Sequence, residues 1–301
     1  MTPIAIYGYS FTKEITFDGG VLTPLFNSAQ QLRENKCDGT DYILTGFFSP
    51  FPATDKVIHT IIYDLSATLS FIEQKNVIIS GFLEEDETPF RFDENFPKKL
   101  NYRRKKGPGR IIIEDYFSPY SRSNFIALAM KKLQENIESD QNPFRTAFYK
   151  SMFSFREHMD YADVKYFLNF SALESLCRYI QNNSTSSKTP KIITEVLIDY
   201  GFNVSKEDNS VPQRNVMHYC NLRNSLFHNG NYISYSKKDD LGSIINLSDY
   251  SSNLNLLLPL VLMKYIGFDD GLINWDSWID YEPFLALRPQ NPCQPLCKQS
   301  I

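Results

Sequence analysis

Apolar and polar positions alternate in two different rhythms along this chain. Up to about residue 118 the apolar positions fall in short β-branched or aromatic runs. These are Ile4 to Tyr9, Lys13 to Phe17, Tyr42 to Phe48, Val57 to Tyr63, Ala67 to Ile72, Val77 to Phe82 and Arg110 to Ile113. Turn-forming groups such as Asp18-Gly19-Gly20 and Gln74-Lys75-Asn76 separate them. Runs of that length and composition predict strands, with a hairpin over Ala67 to Phe82. Only Ser28 to Glu34 predicts a short helix. Many short strands without long helices between them point to an antiparallel sandwich or barrel-like domain.

From about Ser121 the rhythm lengthens to three- and four-residue spacings, which predict helices. They cover Asn124 to Glu138, Pro143 to His158, Ala162 to Asn182, Pro190 to Tyr200, Val211 to His228 and Leu247 to Ile266. The expected fold class is therefore α+β, a β-rich N-terminal domain over 1–120 followed by an all-α helical bundle over 121–268. Residues 269–301 form a C-terminal tail without an assigned role.

The helix ending at His228 holds the densest candidate chemistry. Ser210 and Gln213 have the spacing of a capping box. Asn229-Gly230 supplies a stop, because glycine readily takes the left-handed turn after a helix. Val216, Tyr219, Cys220, Leu222, Leu226 and Phe227 give the helix a wide apolar face. Arg223, Asn224 and His228 lie at its C-terminal end, with Asn224 and His228 one turn apart. RNA carries its own nucleophile in the 2′-hydroxyl, so cleavage requires mainly proton transfer and stabilisation of charge on the phosphate. A histidine supplies the first, an arginine fork the second, and an asparagine can orient either partner. Neither a metal nor a cofactor is needed for that chemistry, and none is expected.

Arg223-Asn224-Ser225-Leu226-Phe227-His228-Asn229-Gly230 resembles the Arg-(four to six residues)-His motif of the HEPN superfamily, in the form with a polar residue after the arginine. The similar region covers about Asn124 to Phe268. Joined to a β-rich N-terminal part, it is similar to ApeA-type anti-phage proteins. The resemblance implies a metal-independent endoribonuclease with Arg223, Asn224 and His228 as catalytic residues. It also implies a homodimer through the helical domain, and a role in anti-phage defence or a toxin-type system. A phage-derived trigger or an inhibitory partner would then control it. An acidic residue on an earlier helix often contacts the motif arginine in that family, which makes Glu174 a supporting candidate; pairing with Arg178, four residues on, is the other reading. Gly230 stands where some members carry a modified tyrosine. The rival reading is a non-catalytic scaffold of the same fold that binds RNA, a nucleotide or a protein.

Composition and charge refine this picture. Net charge is −4, so attraction to phosphate must be local. One segment supplies it. Lys98, Lys99, Arg103, Arg104, Lys105, Lys106 and Arg110 stand within thirteen residues that contain no acid, and they form a candidate RNA-binding loop or a solvated charge run. His218 either lines the cleft or is a partly buried structural histidine, and Tyr219 either stacks on a base or belongs to the core. Five irregularly spaced cysteines, Cys37, Cys177, Cys220, Cys293 and Cys297, suit a reducing compartment. The tail's Cys-x3-Cys pair lacks the further ligands of a zinc site. The start of the chain lacks a signal-peptide pattern, and the longest apolar run, Leu256 to Met263, is far too short for a membrane span. A cytoplasmic protein is expected.

Overall fold

The computed structural model describes residues 3–35, 42–79, 98–100, 109–135, 142–156, 161–183, 188–235 and 244–285. Its first part holds β1 (Ile4–Tyr7), β2 (Ile15–Phe17), β3 (Gly20–Pro24), α1 (Ala29–Glu34), β4 (Tyr42–Pro50), α2 (Asp55–Glu73), β5 (Ile78–Ile79) and β6 (Lys99–Leu100). The strands make one antiparallel sheet in the order β2-β3-β4-β1-β5, and β6 pairs with the first residues of β4. Strand alternation sorts β1 cleanly. Ile4 and Ile6 enter the main core, whereas Ala5 and Tyr7 join Tyr42 and Leu44 in a separate buried cluster.

A helix replaces part of the expected β structure. The runs Val57 to Tyr63 and Ala67 to Ile72, expected as strands and in part as a hairpin, form the single nineteen-residue helix α2. Among the described residues the strands therefore build neither a sandwich nor a barrel. Val57, Ile58, Thr60, Ile61, Ile62 and Tyr63 are β-branched or aromatic and so favour a strand locally. Ile61, Ile62 and every residue from Asp64 to Glu73 are buried, however, and that packing of the helix overrides the local preference. Its hydroxyls are satisfied internally, with Thr68 Oγ1 donating to Asp64 O at 2.8 Å and Ser70 Oγ to Ser66 O at 2.6 Å. Arg110 to Ile113, also expected as a strand, runs irregularly with Ile111 to Ile113 buried.

The remaining described elements are α3 (Ser121–Gln134), α4 (Pro143–Arg156), α5 (Ala162–Ile180), α6 (Thr189–Asp199), α7 (Val216–Asn229), β7 (Ile233–Tyr235), β8 (Ile244–Asn246), α8 (Ser248–Tyr265) and α9 (Ser277–Asp280). The helices expected after residue 121 are all present, with shifted ends. α5 is the hub, packing against α4, α6, α7 and α8. The core is continuous from Ile4 and Phe48 of the sheet through Leu65 of α2 to Leu176 of α5 and Leu258 of α8. Phe71 of α2 stacks between Phe125 of α3 and Phe148 of α4, at centroid distances of 5.3 and 4.7 Å.

A buried polar knot fastens the end of α2 to its surroundings. The Glu73 carboxylate receives Arg122 Nη1 at 2.9 Å, Arg110 Nε at 3.0 Å and the Ser10 amide at 3.2 Å. Lys75 Nζ lies 3.4 Å away. Burial opposes ionisation of Glu73, but the charges of Lys75, Arg122 and Arg110 outweigh it and hold the carboxyl well below the usual range. Arg122, wholly buried, also donates to the carbonyls of Ser10 and Ile113.

Candidate functional site

α7 starts later than the sequence suggests. Ser210 to Gln213 form no capping box. Pro212–Arg214 make a short 3-10 turn, and Asn215 is the cap, its Oδ1 accepting from Met217 N at 2.9 Å. The amides of Val216 and Met217 also reach the carbonyls of Ser205 and Lys206, so tertiary partners satisfy donors that the capping box was expected to serve. Val216, Tyr219, Cys220 and Leu222 are buried. At the other end Gly230 adopts φ +63°, and its amide donates to Leu226 O at 3.0 Å while that of Asn231 reaches Ser225 O. Ser225 Oγ donates to Ile233 O at 2.5 Å, which ties the β7–β8 hairpin to the helix end.

Arg223, Asn224 and His228 emerge on this exposed tip. Arg223 Nη1 donates to Asn224 Oδ1 at 3.0 Å. The guanidinium lies over the rings of Phe227 and Phe170, at 5.5 and 6.0 Å from their centroids. Phe227 in turn packs on Phe167 of α5, with centroids 4.4 Å apart. His228 is exposed, one turn beyond Asn224.

Glu174 of α5 answers both readings of the sequence at once. Its Oε1 accepts from Arg178 Nε at 3.0 Å, Arg178 Nη2 at 2.9 Å and Thr189 Oγ1 at 2.9 Å. Its Oε2 faces Arg223 Nη2 at 3.6 Å. One carboxylate thus serves two guanidiniums. Arg178 takes the close contacts, and Arg223 keeps a looser ion pair with 38% of its side chain exposed. A net positive charge remains at the tip, on the guanidinium that solvent can reach. Thr189 and Phe170 join the site only through α5–α6 and α5–α7 packing, whereas Phe227 lies one turn beyond Arg223 on α7 itself.

Other candidates fall elsewhere. His218 is buried, with Nδ1 2.8 Å from Tyr250 Oη. Tyr219 is buried and donates to Gln213 O. Burial pushes the Cys220 thiol up to about 12 and the Cys177 thiol higher still, so neither offers a thiolate. Of the basic run, Arg103, Arg104, Lys105 and Lys106 lie outside the described residues. Lys98 is exposed and Lys99 belongs to β6. Arg110 was expected to contact RNA, but its side chain is spent on Glu73, Glu114 and Ser10. Among the described residues no cluster of His, Cys, Asp and Glu could hold a metal ion, and no helix is long and apolar enough to cross a membrane. The chain matches no family model, and neither a curated protein nor a solved structure shows significant similarity to it.

Proposed function

We propose that the α7 tip cleaves RNA without a metal, using the RNA's own 2′-hydroxyl as nucleophile. The observation that carries this reading is the arrangement of Arg223. It is braced by Glu174, bonded to Asn224, seated on two phenylalanines and still open to solvent. Because Glu174 also neutralises Arg178, the Arg223 fork retains charge for a phosphate. His228 transfers the proton, Arg223 stabilises the charge that develops on phosphorus-bound oxygen, and Asn224 orients the group between them.

Two copies complete the proposal. Phe167, Phe227, Tyr232, Ile233, Tyr235 and Ile244 are exposed on α5, the end of α7 and the hairpin tied to it. Apolar surface concentrated there favours a two-fold contact between helical regions, which would bring a second Arg223 and His228 toward the same phosphodiester. Such cleavage would serve anti-phage defence or a toxin-type system, as the resemblance to HEPN ribonucleases implies, under the control of a phage-derived trigger or an inhibitory partner.

The test is RNA cleavage in EDTA by the wild type and by His228→Ala. A loss on the order of 10²–10⁴-fold in the variant supports the reading. RNA methylated at the 2′-oxygen should resist cutting. Equal residual cleavage by both proteins would instead assign the tip to binding, as a non-catalytic scaffold.

A further inference from the structure

A cavity lies away from the α7 tip. We propose that it binds a small uncharged molecule of nucleoside class, one with a flat apolar body and several hydrogen-bond acceptors. The cavity measures about 380 Å³ and opens between residues 109–111, one face of α8 and the segment from α9 to Pro283. That volume lies in the range of small-molecule sites.

Its lining is divided along α8. Ser252 and Asn255 stand toward the start of the helix, and Leu256 and Leu260 follow on the same face. Ile111 adds a further apolar group from the facing segment, and Ser277 and Tyr281 add hydroxyls. Along α8 the lining therefore passes from polar to aliphatic.

The polar groups are prepared for a ligand. The hydroxyls of Ser252 and Ser277 have no hydrogen-bond partner among the described residues, and that of Tyr281 reaches Asn253 only at 3.5 Å. Asn255 Oδ1 accepts from Asn169 Nδ2 at 2.6 Å, which leaves the Asn255 amide hydrogens to donate. These donors call for acceptors such as ring nitrogens, carbonyls and ribose oxygens.

Charge decides the class. Among the described lining residues Arg110 is the only ionisable cation, and its guanidinium is already bonded to Glu73 and Glu114. A phosphate entering here would be dehydrated and would have to compete with those two carboxylates for the guanidinium, which is costly. A neutral nucleoside avoids that cost. The site stands whether or not the α7 tip cleaves RNA.

Thermal melting and titration calorimetry with adenosine, uridine and their 5′-monophosphates test the proposal. At least one nucleoside should raise the melting temperature saturably, with its monophosphate binding tenfold or more weakly. Leu256→Trp, which fills the cavity, should abolish the shift. If circular dichroism shows that variant unfolded, Ser252→Ala combined with Ser277→Ala should weaken binding instead. Absence of any shift or heat up to about 10 mM nucleoside, well above millimolar affinity, would overturn the proposal. So would monophosphates that bind as tightly as nucleosides, or equal binding by the cavity-filling variant.

Discussion

Glu73 and Glu174 each gather arginines, and they do so at opposite depths. Glu73 is enclosed, meets Arg122 and Arg110 at 2.9 and 3.0 Å, and joins α2, α3 and the segments holding Ser10 and Arg110 into one knot. Glu174 stands near the surface, meets Arg178 at 2.9 Å and leaves Arg223 at 3.6 Å. In the first cluster every guanidinium is committed to the protein. In the second, one is held in place but not used up. A buried cluster of this kind fixes geometry, while a half-open one presents a positioned charge to something outside.

The largest effect should come from breaking the enclosed cluster. Arg122→Ala strands the Glu73 carboxylate without its buried partner, and should cost about 3–5 kcal/mol of stability in urea unfolding. A loss under 1 kcal/mol would mean that the knot is not as closed as its distances indicate. Next comes Arg223→Ala, which should lower RNA cleavage on the order of 10²–10³-fold yet leave stability within about 0.5 kcal/mol. Marked destabilisation would erase the contrast between the two clusters. Glu174→Gln removes the brace but not the guanidinium. It should slow cleavage roughly tenfold, about 1.4 kcal/mol of activation free energy, with Glu174→Asp recovering part of the rate.

The most gradual effect concerns pH. The Glu73 carboxyl titrates lower in the folded chain than in the unfolded one, where its ordinary value is 4.5. The stability this contributes is fully present above that pH and is lost as pH falls below it. Asp64 runs the other way. Burial raises its carboxyl despite hydrogen bonds from Arg145 and Tyr149, so its contribution is present at low pH and lost as pH rises through the raised value. Acid titration of Glu73→Gln should show a shallower loss of stability below about pH 4.5 than wild type. An unchanged slope would locate acid sensitivity elsewhere.

Spacing along the chain could be read from the residues alone, and long-range packing could not. α3 to α8 were legible because their apolar residues recur at three- and four-residue spacings over long runs and their ends carry signals such as Thr189-Pro190 and Gly230. α2 was not, because its β-branched and aromatic residues from Val57 to Tyr63 favour a strand locally and only packing against β5, α3 and α4 makes them a helix. The tip residues were legible as neighbours on one helix. The division of Glu174 between Arg178 and Arg223 was not, since spacing allows both pairings and only packing ranks them. The pairing of Arg110 with Glu73 was not legible, because charge runs are counted locally, whereas Glu73 stands 37 residues away along the chain. The start of α7 was misplaced because the Ser205 and Lys206 carbonyls that receive its first amides lie in a preceding loop.

α2 touches β5, α3 and α4, and its side chains belong to the same core as the sheet and α8. Such a keystone cannot be shed early while its neighbours stay ordered. Heating should accordingly dismantle strands and helices together in one cooperative step, and a protease cut inside 61–72 would require much of the molecule to open first.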